Sequence, residues 1–354
     1  MNKIKYSLVI CAYNEGLKIK NTINSIYSYS KNRDDIEIII INDNSNDNTK
    51  EIIEQFDKVN LINNITNKGI SYCRNKGVDV SKGKYIIFLD AHVLLETNIF
   101  KIYDKLFDKY NNIIGISGIY SSDSKQDNNS IRDIVRFVYR KKNQNDFIIT
   151  YDNYTTLSSC IFCVERKVII KNKFPTNFKG VAAEDIFLQL NLMENKYKIL
   201  HTNKVKIRHV DNLSLGGLFK KIIYQSKGTH KLLSNAIKSG IKIPYSEFFL
   251  EFPLFLFISF YFSIIFSIIY GFSVYYIYFI VLSIVLDYYK LYKLFFFKAS
   301  IRMKLKTVIY LFCNESIKIF DWPISIFRNK YNFIDIFKVL KLYLIWQVKK
   351  YLVV

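Results

Sequence analysis

The stretch Tyr85-Ile86-Ile87-Phe88-Leu89-Asp90-Ala91-His92 decides the fold class and marks a first candidate site. Five apolar residues in a row are typical of a parallel strand that is buried on both faces. Ligands of open α/β sheets bind in the crevice at the carboxyl ends of such strands. Asp90 and His92 have one residue between them, so an extended backbone places both side chains on the same face. We therefore expect them to share one metal ion; the alternative is a strand that runs into an ordinary polar loop.

Two earlier apolar stretches also end in polar residues. Tyr6–Ala12 is followed by Tyr13-Asn14-Glu15, and the stretch 36–41 is followed by Asn42-Asp43-Asn44. Apolar residues at helical spacing between and after these stretches predict alternating helices. The resulting β-α-β-α-β-α-β order is typical of a doubly wound sheet. Because parallel strands have their carboxyl ends at one edge, the three polar strand ends are expected to build one site.

Residues 5–95 resemble the catalytic domain of family 2 glycosyltransferases, which bind nucleotide sugars with the GT-A fold. Residues 7–15 resemble the opening strand of that family, with Cys11 in place of its usual proline, and residues 42–49 resemble its second motif. Asp90-Ala91-His92 replaces the usual Asp-x-Asp; an Asp-x-His variant is known among the polypeptide GalNAc-transferases, which share the fold. The resemblance implies a GT-A-type doubly wound mixed sheet with a Rossmann-like nucleotide-binding half.

The resemblance also implies a donor site. By resemblance Asp43 hydrogen-bonds the nucleobase, Arg74 faces the nucleotide, and Ala12, Tyr13 and Glu15 border the base and ribose. The alternative for Asp43 is a turn residue whose carboxylate binds its own backbone.

A divalent cation is the implied cofactor, held by Asp90 and His92 beside the donor. A cation that bridges the two phosphates stabilises the departing diphosphate. Carboxylate and phosphate oxygens suit Mg²⁺ or Mn²⁺, and an imidazole ligand favours Mn²⁺. His209 follows a strand-like segment, and a histidine near this position of the resembled fold reaches the diphosphate or completes the metal site. The alternative for His209 is a structural histidine.

The acceptor side is expected near Glu184-Asp185, which open an amphipathic segment. Acids are favoured at a helix start by the helix dipole, which is the purely structural interpretation. The resemblance makes this pair the third motif of the family, with Asp185 as the base that takes the acceptor's proton and Glu184 on the acceptor side. An inverting transferase needs such a base.

The second half of the chain predicts membrane association. The formal net charge is +21, yet the stretch from Phe252 to Leu286 contains no charged residue. One spanning helix needs about 20 residues, so we expect a hairpin of spans near 249–270 and 274–294. The alternative is one tilted span with an interfacial helix. A basic helix over 216–238 precedes this stretch, and residues 290–354 carry 13 Lys or Arg against 3 Asp or Glu. The positive-inside rule therefore places the tail, and with it the catalytic domain, in the cytoplasm.

These observations predict a catalytic domain over 1–240, a transmembrane hairpin over 241–295 and a basic membrane-associated tail over 296–354. The expected protein is a multi-pass membrane enzyme that transfers sugar from a nucleotide-diphosphate sugar, with inversion, to a lipid-linked or surface glycan. The alternative is a basic membrane-bound binding module without catalysis. Nucleic acid is not expected as a partner, because anionic lipid headgroups account better for charge that flanks apolar helices. Cys160 and Cys163 are expected to be packed strand cysteines, since no second pair accompanies them.

Overall fold

The part of the chain that the structure describes folds around one mixed β-sheet. A computed structural model describes residues 4–120, 146–151, 154–157, 159–210 and 215–241. The strands of this part of the chain are β1 (Tyr6–Ala12), β2 (Ile36–Asn42), β3 (Val59–Asn63), β4 (Tyr85–Asp90), β5 (Val93–Leu95), β6 (Gly115–Tyr120), β7 (Phe147–Ile148), β8 (Ile161–Glu165) and β9 (Ile199–His209).

The order across the sheet is β3-β2-β1-β4-β8-β6-β9-β5, and β7 pairs with β9. The first four strands in this order are parallel, as the sequence predicts. β8 runs antiparallel to both β4 and β6. The antiparallel β8 makes the sheet a mixed one.

Helices cover both faces of the sheet. Those of the described residues are α1 (Gly16–Ser30), α2 (Thr49–Ile53), α3 (Ile70–Val80), α4 (Ile99–Lys109), α5 (Arg166–Ile169), α6 (Glu184–Glu194) and α7 (Leu215–Ser239), with a 3-10 helix at Thr176–Phe178. The predicted alternation of strands and helices over the first 90 residues is confirmed, and so is the helix expected over 216–238.

The apolar run that ends at Asp90 is buried on both faces. Ile87 and Leu89 belong to one core cluster, and Ile86 and Phe88 belong to the cluster on the other side. Each side chain of that size contributes about 1.5–3 kcal/mol when it is fully buried. The apolar pattern of β4 is continuous because alternate side chains pack into two separate cores, one on each face of the sheet.

Helix α3 lies unusually close to β1. A Cβ atom added to Gly77 would come within 2.3 Å of the Val9 side chain. Only glycine allows this approach without a shift of the strand or the helix. The contact fixes the position of Arg74, which lies one helical turn before Gly77.

Two sequence expectations need correction or extension. Of the two cysteines expected in a strand, only Cys163 lies in one, because β8 begins at Ile161 and Cys160 precedes it. The strand-like segment expected before His209 is longer than its local pattern and runs over the whole of β9, where buried and more exposed residues alternate. β9 pairs with β5, β6 and β7, and these non-local partners are not visible in a local pattern.

The predicted membrane hairpin and basic tail lie outside the described residues. So does the segment 121–130, whose polar composition predicts a surface loop. Among the helices that the structure does describe, none combines the length and the apolar character needed to cross a membrane. Cys160 and Cys163 are both buried, which confirms them as packed cysteines.

Candidate active site

The structure brings three predicted metal ligands together at the carboxyl end of β4. One potential ligand atom from each of Asp90, His92 and His209 lies within 4.8 Å of the other two. The pairing of β5 with β9 places Val93 opposite His209, and the Val210 amide donates to the carbonyl of His92 at 2.9 Å. The third ligand therefore reaches the first two through strand pairing.

One carboxylate and two imidazoles form a donor set that suits a divalent transition metal such as Mn²⁺ better than an all-oxygen cage does. The set offers three protein ligands within a small volume, which leaves other coordination positions for phosphate or water oxygens. The residues present thus fit the implied cation. Their role as metal ligands remains a prediction.

His209 is held by two residues, Tyr120 and Cys160, for which the sequence predicts no role in the site. The ring of Tyr120 stacks on the imidazole with 4.8 Å between centroids and 25° between planes. The Cys160 sulfur lies 4.0 Å from Nε2 of His209, and the Tyr120 hydroxyl contacts the same sulfur. No local motif connects Tyr120 or Cys160 with His209, because these residues meet only across the sheet.

Arg74 connects the metal cluster to the acid pair. Its guanidinium donates to Oε1 of Glu184 at 2.7 Å and to Oδ1 of Asp90 at 3.4 Å, and it lies 5.1 Å from the centre of the Phe174 ring. Burial alone would lower the pKa of Arg74, but the charges of Glu184 and Asp90 raise it. The family resemblance implies that Arg74 faces the nucleotide, and the structure shows these partners within the protein.

The acid pair begins α6. Glu184 is 6% exposed. Burial and the neighbouring charge of Asp185 raise the pKa of Glu184, and Arg74 opposes them only in part. Asp185 is more exposed, and its Oδ2 accepts from the Ser159 hydroxyl at 3.0 Å. The two acids therefore differ in environment, with Glu184 committed to a buried ion pair and Asp185 nearer the surface.

The backbone before the acid pair is strained. Ala183 has φ +76° and ψ +14°, a left-handed conformation that is uncommon for a residue other than glycine. Helix α7 packs against this segment so closely that a Cβ atom on Gly228 would lie 2.4 Å from the Ala182 carbonyl oxygen. The position of α6 is thus coupled to that of α7.

Tyr224 is a further residue of this region that sequence reasoning did not select. It lies on α7, and its carbonyl accepts from the Ala182 amide at 3.4 Å. Partial burial and the negative charge of Glu184 raise the pKa of Tyr224 to about 12, against the opposing charge of Arg74. The available signal in the sequence was an aromatic residue between Lys220 and Lys227 of this helix.

Asp43 is 4% exposed at the end of β2. Its carboxylate accepts from the Lys68 amide, the Gly69 amide and the Asn64 side chain, each at 2.8 Å. Burial alone would raise the pKa of Asp43, but these hydrogen bonds hold it below its usual value. Asp43 thus organises the loop that leads into α3, and its predicted contact with a nucleobase stays a prediction.

The other predicted donor residues lie at the same edge. Ala12 is buried at the end of β1, and its carbonyl accepts from the Asp43 amide at 2.8 Å. Tyr13 is 46% exposed beside it. Glu15 instead contacts the metal cluster, since its Oε1 lies 3.0 Å from Nδ1 of His92.

Comparison with known proteins supplies the family. The sequence model of the family described as Glycosyl transferase family 2 matches residues 7–172. These residues belong to glycosyl transferase family 2. The match spans the three polar strand ends and stops before the acid pair of α6, so the placement of Glu184 and Asp185 rests on the geometry above and on the sequence resemblance.

Two relatives show the range of likeness to this chain. Poly(ribitol-phosphate) beta-N-acetylglucosaminyltransferase TarP of Staphylococcus aureus is 29% identical over 196 residues, which cover 54% of this chain and 58% of TarP. UDP-Glc:alpha-D-GlcNAc-diphosphoundecaprenol beta-1,3-glucosyltransferase WfaP of Escherichia coli is 28% identical over 253 residues, covering 67% of this chain and 87% of WfaP. The chain thus spans little more than half of TarP.

A solved structure shows the same type of fold. The mannosyltransferase PcManGT of Pyrobaculum calidifontis, solved with GDP-Man and Mn²⁺, superposes with a TM-score of 0.56 at 12% identity. The match covers 90% of this chain and 87% of that protein. The fold of the described residues is therefore a mixed α/β sheet of the GT-A type.

Proposed function

We propose that the protein transfers a sugar from a nucleotide-diphosphate sugar to a hydroxyl of a lipid-linked or surface glycan, with inversion at the anomeric carbon. The observation that carries this proposal is the arrangement around Arg74. One buried guanidinium holds Asp90 of the metal cluster and Glu184 of the acid pair in one ionic network. A cation-binding edge for a diphosphate and a carboxylate for an acceptor thus occupy adjacent parts of one site.

The donor would lie across the ends of β1, β2 and β4. Exposed Tyr13 offers an aromatic face at this edge, and Asp43 shapes the neighbouring loop. Asp90, His92 and His209 would hold Mn²⁺ or Mg²⁺, which stabilises the charge that develops on a departing diphosphate.

Asp185 is the proposed general base. In a single displacement, the acceptor oxygen forms the new bond to the anomeric carbon while the bond from that carbon to the diphosphate breaks. Asp185 takes the hydroxyl proton as the oxygen attacks. The Ser159 hydroxyl hydrogen-bonds Oδ2 of Asp185 and orients the carboxylate. Glu184 is less suited to this task, because its Oε1 is already bound to Arg74.

The proposed acceptor class draws on the relatives. TarP is named for poly(ribitol-phosphate), and WfaP is named for a sugar-diphosphoundecaprenol substrate. The first name describes a polymer of ribitol phosphate, and the second describes a sugar attached to a lipid through a diphosphate. An acceptor of this kind agrees with the membrane segments predicted from the sequence.

The proposed location is the cytoplasmic face of a membrane. Lys220, Lys227, Lys231 and Lys238 follow one another at intervals of seven, four and seven residues along α7. At 3.6 residues per turn these positions lie within about 40° of one another around the helix axis. Lys220, Lys227 and Lys238 are exposed, whereas Leu232 and Ala236 are buried. Such a lysine stripe complements anionic lipid headgroups.

Nucleotide-sugar turnover tests the function. Purified full-length protein, incubated with a panel of nucleotide sugars and Mn²⁺, is expected to release nucleoside diphosphate from one of them. Excess chelator should abolish this release, and Mn²⁺ should restore it at least as well as Mg²⁺, because two of the three protein ligands are imidazoles. Asp90→Ala should lower activity more than His92→Ala, since the carboxylate also carries charge.

Full activity in excess chelator would contradict the metal assignment. The alternative function, a basic membrane-bound binding module, predicts that a nucleotide sugar binds without any release of nucleotide. Equilibrium binding measured on the same preparation therefore separates the two functions.

Topology is a separate prediction. Because the proposed hairpin returns the chain to its starting side, a cysteine introduced by Lys350→Cys should react with a membrane-impermeant thiol reagent only from the cytoplasmic face. The parent chain, which has five cysteines, supplies the background labelling. Reaction of the new cysteine from the outer face alone would show that the hairpin assignment is wrong.

A further inference from the structure

Glu15 occupies a fixed position between β1 and α1. Its amide donates to the Thr49 hydroxyl at 2.8 Å, and the Gly16 amide donates to the same oxygen at 2.9 Å. The Thr49 hydroxyl in turn contacts Oδ1 of Asp47. The backbone of Glu15 is therefore held by the start of α2, and its side chain projects from a rigid support.

Both carboxylate oxygens of Glu15 have partners within the protein. Oε1 lies 3.0 Å from Nδ1 of His92, and Oε2 lies 3.4 Å from the Lys18 ammonium group. The side chains of Glu15 and His92 are mostly buried, at 16% and 21% exposure. A contact of this length between largely buried groups restricts rotation of the imidazole ring.

The contact also selects one tautomer of His92. A carboxylate oxygen is a hydrogen-bond acceptor, so the contact favours the tautomer of the neutral ring whose proton lies on Nδ1. The lone pair then lies on Nε2, which becomes the nitrogen available to a metal ion. Carboxylate partners of this kind orient metal-binding histidines and raise their basicity.

We infer that Glu15 is a positioning residue for the metal site, which acts through His92 and does not contact the cation. This inference rests on the cation site of the proposed function and assigns Glu15 a task other than bordering the base and ribose of the donor. The two roles predict different results, because only the first makes the affinity for a free cation depend on Glu15.

The test measures Mn²⁺ binding to the full-length protein by electron paramagnetic resonance, without any nucleotide sugar. Glu15→Ala should raise the Kd for Mn²⁺ about 10–100-fold, the usual effect of losing such a carboxylate. Glu15→Gln should raise the Kd less, because its amide oxygen can still accept from Nδ1. Glu54→Gln is the matched control; Glu54 is an exposed carboxylate whose ion pair is with Lys50 at 3.6 Å, and this variant should bind like the parent.

A double-mutant cycle shows whether Glu15 acts through His92. In a His92→Ala background, Glu15→Ala should produce no further rise in the Kd for Mn²⁺. An equal rise in both backgrounds would overturn the inference, and so would parental affinity in Glu15→Ala. A parent protein that binds no Mn²⁺ would also overturn it. The sugar-transfer proposal is judged separately, by nucleotide release, so the two can fail independently.

Discussion

Asp185→Asn is expected to lower turnover by about 10²–10⁴-fold, the usual contribution of a general base. The asparagine keeps the shape of the side chain and can still accept from the Ser159 hydroxyl, but it cannot take the acceptor proton. Donor affinity should change little, because the donor is bound at the strand ends and not at α6. Steady-state kinetics with varied nucleotide sugar measure both quantities.

Asp43→Asn is expected to affect donor binding, in contrast to the effect of Asp185→Asn on turnover. Its carboxylate orders the loop at Lys68 and Gly69, so this variant should weaken donor binding before it affects turnover. The anomeric configuration of the product gives an independent check, since a single displacement inverts the configuration of the donor. Normal turnover in Asp185→Asn, or a product that retains the donor's configuration, would remove Asp185 as the base and make Glu184 the next candidate.

Arg74→Met is expected to destabilise the fold by about 3–5 kcal/mol, the usual cost of leaving a buried charge without its partner. The group left behind is Glu184, which is 6% exposed and whose pKa is already raised by burial and by Asp185. Loss of Arg74 should raise that pKa further. Thermal unfolding of the variant and the parent, followed by circular dichroism, measures the effect.

The loss of stability in Arg74→Met should be larger at high pH than at low pH. The pKa of Glu184 is higher in the folded protein than in the unfolded chain. Protonation of such a carboxyl group favours the folded state at pH values below the unfolded pKa. This stabilisation is lost as the pH rises through the folded pKa. The difference in unfolding free energy between the parent and Arg74→Met should therefore become smaller as the pH is lowered from 8 to 5. The double variant Arg74→Met/Glu184→Gln removes both charges and should recover most of the stability at pH 8. Equal unfolding midpoints for the single and double variants at pH 8 would refute this account of the ion pair.

The strand ends were predictable because each carries its own local signal. A continuous apolar run identifies a strand with two buried faces, and the parallel arrangement brings Asp43 and Asp90 to one edge without further information. The spacing of Asp90 and His92 is likewise local. His209 was reachable only through the family resemblance, because its approach to His92 depends on the pairing of β5 with β9.

The partners of Arg74 and Glu15 were not predictable from local pattern. Arg74 meets Glu184 across 110 positions of the chain, and Glu15 meets His92 across 77. A charged residue at a strand end or on a helix shows only that a polar partner is needed. Which carboxylate or which ring fills that need is decided by the packing of α3 on β1 and by the hydrogen bonds that hold Glu15.

The pairing of β5 with β9 also sets an order of events during synthesis. Two of the three clustered side chains, at positions 90 and 92, are made early, whereas the third follows at position 209. A nascent chain that has only the parallel half of the sheet lacks one imidazole and the strand that delivers it. The full donor set arises only once the distant strand has emerged and paired, so strong cation binding would mark a chain whose sheet is complete.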